Sequence, residues 1–108
     1  MTPQQYMGYV AELGCLACLL DGIDGTPAQV HHPRAEAGMA ERGPHFETYG
    51  LCPAHHLTGG VYPNGSRFPG VHQNAQAFAA AYGEDWLLSE ITRRRVLELE
   101  QRIIAKRA

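Results

Sequence analysis

Leu51-Cys52-Pro53-Ala54-His55-His56 decides the reading of this chain, because it answers at a distance what Cys15-Leu16-Ala17-Cys18 begins. Each stretch sets two metal-binding side chains apart by two residues, the spacing of a tight knuckle that brings both to one ion. Together they read C-x2-C-x33-C-x2-H: three thiols and one imidazole, the donors of a closed tetrahedral zinc site. The alternative is a redox pair at Cys15 and Cys18, with Cys52 a buried apolar residue. The matching spacing of the second half-site favours structural zinc. The 33 residues between the half-sites exceed a short zinc finger and must form structure of their own.

Composition sets the frame around this staple. A chain of 108 residues suits one small domain, here a core over about residues 13–83 and a C-terminal helix over 84–106. Apolar residues at 44% and charged residues at 19% describe a folded chain rather than a disordered one. A domain this small buries a modest share of its surface and often needs a metal or disulfide. Three cysteines are an odd number, and Met1 to Gln5 carries no secretory pattern, so a disulfide framework is not expected. No apolar stretch approaches the ~20 residues of a membrane span. A soluble, cytoplasmic protein with no membrane partner is expected. The net charge of −2 excludes a uniformly basic nucleic-acid coat, but bound cations and clustered arginines can override that average locally.

The spacing predicts a helix from Pro3 to Leu13, with Tyr6, Val10 and Leu13 on one side and Gly14 just past its end. Residues 28–32 and 46–51 read as two strands, separated by a loop over 34–44. Pro53 opens a short helix, residues 59–70 read as a loop, and Asn74 caps a helix that Gly83 stops. Residues 84–106 lack Gly and Pro and form one long helix. Leu88, Ile91, Leu99 and Ile103 make one apolar stripe, with Trp86, Leu97 and Ile104 roughly opposite. Such a helix is either sandwiched in the fold or shared with a second copy, as a homodimer.

The remaining histidines lie in adjacent pairs at element boundaries. Neighbouring side chains of a strand point to opposite faces, so His31 and His32 do not chelate the same ion. One binds metal while the other stays available as a base. On the short helix His55 and His56 stand about 100° apart, so His56 looks away from the site that Cys52 and His55 share. A second, open metal position approached by His31 and His56 follows, with coordination places left for water.

Val30-His31-His32-Pro33-Arg34, the Leu51–His56 stretch, and Gly70-Val71-His72 followed by Phe78 and Ala81-Tyr82-Gly83 resemble an HNH (ββα-metal) endonuclease. Within that group the chain is most similar to the RecA-dependent phage nucleases of the Ref type, over about residues 13–90, including the Gly38–His45 loop. The resemblance implies an α+β, treble-clef-like ββα-metal domain. Cys15, Cys18, Cys52 and His55 would hold the structural Zn²⁺. His31 and His56, with His72 as third ligand, would hold a catalytic divalent metal (Mg²⁺, Mn²⁺, Zn²⁺ or Ni²⁺), and His32 would be the general base. All-imidazole ligation favours a transition metal over Mg²⁺. The position four residues beyond His56, a ligand in some HNH proteins, is Gly60 and cannot serve. The usual HNH Asn has no clear counterpart; His45 either takes its place or contacts the phosphate.

Arg34 and Arg42 either clamp backbone phosphates or are ordinary solvated loop charge. Arg93-Arg94-Arg95 is surrounded by Glu90, Glu98 and Glu100, and intrahelical ion pairs explain it at least as well as DNA does. Tyr62, Phe68 and Trp86 read as core or interface residues rather than base-stacking platforms. The expected function is metal-dependent hydrolysis of DNA phosphodiester bonds with little sequence specificity of its own, since nothing resembles a recognition helix. The alternative is a catalytically inactive zinc module that binds protein or nucleic acid. The Ref-type proteins act on DNA held by a recombinase filament, which makes such a filament an expected partner. This chain starts almost at the domain, without their basic N-terminal region, so dependence on RecA is not carried over.

Overall fold

The computed structural model describes residues 1–33 and 45–107. Helix α1 (Pro3–Leu13) begins where Thr2 and Gln5 satisfy each other's backbone: the Gln5 N–H donates to Thr2 Oγ1 at 3.1 Å and the Thr2 N–H to Gln5 Oε1 at 2.8 Å. Pro3 fits the first turn, where no backbone donor is needed. Gly14 ends the helix at φ +83°, a conformation that only glycine adopts without strain. Short helix α2 (Leu16–Leu20) follows at once, capped by the Cys15 sulfur, which accepts the Cys18 N–H at 3.3 Å.

Strands β1 (Gln29–His31) and β2 (Tyr49–Leu51) pair antiparallel, with Val30 opposite Gly50 and His31 opposite Tyr49. The second strand is shorter than the sequence suggests, because His45–Glu47 forms a 3₁₀ turn ahead of it. Thr48, fully buried, donates its hydroxyl to the His45 carbonyl and fixes that turn. Beyond β2, Ala54–Thr58 is a single wide π-type turn in place of an α-helix, closed by the Gly59 N–H on the Ala54 carbonyl at 2.7 Å. The segment expected as a loop over 59–70 contains a hairpin, β3 (Gly60–Val61) with β4 (Arg67–Phe68). Helix α3 (Ala75–Tyr82) starts at Asn74, whose side chain accepts the Ala77 N–H, and stops at Gly83.

The long helix α4 (Asp85–Arg107) packs along α1 and the 3₁₀ turn. Its buried line is Leu88, Ser89, Thr92 and Val96; of the stripe expected from hydropathy, Leu88 is buried and Ile91 packs against the core, while Leu99 and Ile103 are only half-buried. Two polar residues qualify because each finds a carbonyl: Ser89 donates to Glu47 O at 2.6 Å and Thr92 to Leu88 O at 2.8 Å. Trp86 is 71% exposed, so it is no core residue, and Ile104 is 59% exposed. Arg93 and Arg94 both reach Glu90, at 2.7 and 3.4 Å, as intrahelical ion pairs. Among the described residues no helix is long and apolar enough to cross a membrane.

Two apolar clusters result. Tyr6, Val10 and Val96 join α1 to α4, with Val30 packed against them. The larger cluster gathers Leu16, Ala17, Tyr49, Leu51, Phe78 and Leu88 around the three cysteines. Gly50 lies between the clusters' frameworks, where a Cβ would come within 2.5 Å of the Gly14 carbonyl oxygen and 3.1 Å of Ala28 Cβ. Neither neighbour is the end of a flexible side chain. Gly50→Ala is therefore expected to destabilise the protein by about 1–3 kcal/mol, measured by urea denaturation, with β2 forced away from the Gly14 backbone at the end of α1.

Candidate metal centres

Cys15, Cys18, Cys52 and His55 come from α2, the end of β2 and the π-turn, and all are buried. Their ligand atoms lie within 4.8 Å of one another. The fit to a zinc ion can be tested on the edges of the polyhedron. A tetrahedron with ordinary zinc–sulfur and zinc–nitrogen bonds has S···S edges of about 3.8 Å and S···N edges of about 3.6 Å. Here Cys18 Sγ and Cys52 Sγ are 3.9 Å apart, and His55 Nδ1 stands 3.2, 3.5 and 3.7 Å from Cys52, Cys18 and Cys15. The donors fit a metal such as zinc.

The back of His55 is held as firmly as its front. Its Nε2–H donates to the Tyr82 hydroxyl at 2.9 Å, which assigns the Nδ1 lone pair to the sulfur cluster. Tyr82 donates in turn to Asp21 Oδ2 at 2.9 Å, and Tyr62 donates to the same oxygen at 2.7 Å. Phe68 stacks on the ring at 4.2 Å. Tyr62 and Phe68 thus dock the β3–β4 hairpin against the cluster, and Asp21 ties in the end of α2. Asp21 and Tyr82 had no role in the sequence reading as supports of this site. Their only signal was an acid and a phenol near the knuckle and the α3 stop, 61 residues apart.

A second group forms where β1 meets the π-turn. His31, His56 and His72 place one ring nitrogen each within 4.8 Å of the others, and their ring centres are 4.8–5.2 Å apart. His56 Nε2 and His72 Nε2 are separated by 3.2 Å. Two nitrogens bound at ordinary distances to one ion would be about 2.9 Å apart at a right angle and about 3.4 Å apart at the tetrahedral angle. The observed separation falls between. His31 is buried beneath the ring of Tyr49, His56 is half-buried and His72 is exposed, so the group opens to solvent on one side. His72 is held in place by its backbone, whose N–H donates to the His56 carbonyl at 3.0 Å. Gln29, which the sequence did not single out, places Oε1 2.7 Å from His56 Nδ1.

The next residue of the chain takes the other direction. His32 stands outside this group and meets His45 instead, Nε2 to Nδ1 at 3.2 Å, with the rings edge to face. His32 is the first residue past the end of β1. Arg34 and Arg42 lie outside the described residues.

Burial without a cation sets the protonation states. It pushes the Cys15 thiol up to about 12 and the Cys18 thiol upward as well, while it lowers His55 against a smaller opposing pull from Asp21. Burial, followed by the charge of His72, also lowers His56. The metal-free protein near neutrality therefore carries protonated Cys15 and Cys18 and neutral His55. Zinc binding is expected to release at least two protons per ion at pH 7, one from each of these thiols, and affinity should rise with pH. Calorimetry in buffers of different ionisation enthalpy measures the count, and fewer than two protons per ion would contradict it. Cys18→Ser is expected to lose the ion and several kcal/mol of stability, on the order of a structural zinc site's contribution, visible as a lowered thermal midpoint.

No curated protein matches the chain. Residues 2–95 match the family described as "Recombination enhancement, RecA-dependent nuclease". That match spans both histidine groups and the cysteine cluster. The chain belongs to the recombination-enhancement, RecA-dependent nuclease family, and so among enzymes that act on nucleic acid.

Proposed function

We propose that the protein is an HNH-type endonuclease that hydrolyses DNA phosphodiester bonds with a divalent metal at His31, His56 and His72. One observation carries this reading. Three imidazoles converge on an open position, while the adjacent His32 points elsewhere and pairs with His45. A purely structural zinc protein needs the Cys₃His cluster but has no use for either arrangement.

Hydrolysis requires a water aligned with the departing 3′ oxygen, a group to take its proton, and positive charge on the phosphoryl oxygens. A divalent ion on the three histidines would supply that charge and stabilise the leaving oxygen. His32 serves as general base, since a neutral imidazole accepts a proton near neutral pH. His45 holds its ring, with His45 Nδ1 3.2 Å from His32 Nε2. The water oxygen bonds to phosphorus as its proton passes to His32. The P–O3′ bond then breaks and the departing oxygen takes a proton from solvent water, leaving 5′-phosphate and 3′-hydroxyl ends. In-line attack needs the activated water and the departing oxygen on opposite sides of phosphorus; on this reading His32 serves the water side and an ion on His31, His56 and His72 would serve the leaving-group side.

DNA is the substrate on this reading, and a recombinase filament is a partner that the family name suggests. Arg34 and Arg42, on the β1–β2 connection, remain proposed phosphate contacts. Supercoiled plasmid with Mg²⁺, Mn²⁺ or Ni²⁺ tests the proposal, with and without a recombinase filament. His32→Ala is expected to slow nicking about 10²–10⁴-fold, with zinc content and thermal midpoint unchanged. A wild-type protein that never nicks DNA with any of these ions would leave a zinc module that binds protein or nucleic acid.

A further inference from the structure

The two ring nitrogens of an imidazole are not independent: a metal on one requires a proton on the other. At the three-histidine group, His56 and His72 face each other through Nε2 at 3.2 Å, so an ion between them takes both Nε2 lone pairs. The proton of His56 then sits on Nδ1 and needs an acceptor. Gln29 Oε1 stands 2.7 Å from that atom, a short hydrogen bond.

The placement follows from the strand. Gln29 and His31 are two residues apart on β1, so their side chains share one face, and both meet His56 of the π-turn there. One strand thus offers a ligand from His31 and an orienting amide from Gln29. A Gln turned the other way would donate its NH₂ to Nδ1 and force the proton onto Nε2, against His72 Nε2, where no ion could then bind. A neutral amide carbonyl also orients the ring without adding negative charge beside a phosphodiester.

We infer that Gln29 is a positioning residue that fixes the metal-binding tautomer of His56 by accepting its Nδ1–H. The inference rests on the three-histidine reading above and adds to it a fourth side chain that touches neither ion nor substrate. Outer-shell partners of this kind change metal affinity about 10–100-fold when removed.

The test uses the full chain with its structural zinc loaded, and Ni²⁺ as the probe ion, titrated by calorimetry with His56→Ala as control. Gln29→Leu is expected to weaken the second ion's binding about 10–100-fold, with structural zinc and thermal midpoint retained. Gln29→Glu, which keeps an acceptor oxygen in place, is expected to bind close to wild type. Long-range ¹⁵N–¹H spectra before Ni²⁺ addition are expected to show His56 protonated on Nδ1 in wild type and as a tautomer mixture in Gln29→Leu. Unchanged affinity and tautomer in Gln29→Leu would overturn the role, as would a Gln29→Glu variant as weak as Gln29→Leu. A wild-type chain that takes up no second ion would instead remove the three-histidine site and this role with it, a result distinct from equal binding by wild type and variant.

Discussion

Four donors at tetrahedral spacing, three sulfurs and one nitrogen, are the constraint from which the rest of this structure hangs. They come from α2, the end of β2 and the π-turn, segments too short to be stable alone. Burial keeps the Cys15 and Cys18 thiols protonated without a cation; with one, the same burial becomes an advantage, because it seals the site from water. The apolar cluster around Tyr49, Phe78 and Leu88 is organised about the cysteines rather than apart from them. Asp21, Tyr62 and Tyr82 extend this order outward by holding the back of His55, so hairpin and α3 are fixed by the same centre.

That centre also places the second group of histidines. Cys52 and His55 fix the π-turn, and the next residue, His56, is thereby aimed at β1. Pairing of His31 with Tyr49 sets the height of the strand, and the His72 backbone bonded to the His56 carbonyl closes the triangle. Each imidazole is positioned by backbone that the first cluster has already ordered. An open site built on so small a protein needs such a rigid neighbour, since a loop-borne ligand set would drift by more than metal coordination tolerates.

Much of the element order was legible in the chain. Helix α1, the Asn74 cap and Gly83 stop of α3, and the extent of α4 follow from capping residues and from where Gly and Pro are absent. The failures have local causes. Thr48 bonding the His45 carbonyl turns the start of the second strand into a 3₁₀ turn, which no alternation pattern reveals. The β3–β4 hairpin is two residues per strand, too short for periodicity, and is held by Tyr62 and Phe68 contacts made elsewhere. On α4, Ser89 and Thr92 take buried places beside Leu88 because carbonyls from Glu47 and Leu88 satisfy their hydroxyls, which leaves Leu99 and Ile103 of the expected stripe only half-buried.

The sequence by itself determined the ligand types and the short-range spacings: C-x2-C, C-x2-H, and two adjacent histidine pairs whose members must diverge. Those are properties of local geometry, where a knuckle, a turn or a strand fixes side-chain direction within a few residues. Tertiary structure decided what local rules cannot reach. It brought His72 beside His56 across 16 residues, set Gln29 behind His56 across 27, and set Asp21 and Tyr82 behind His55 across a gap of 61 residues between them. Those contacts depend on where whole segments dock, and that docking is set by a shared buried centre rather than by any stretch of chain.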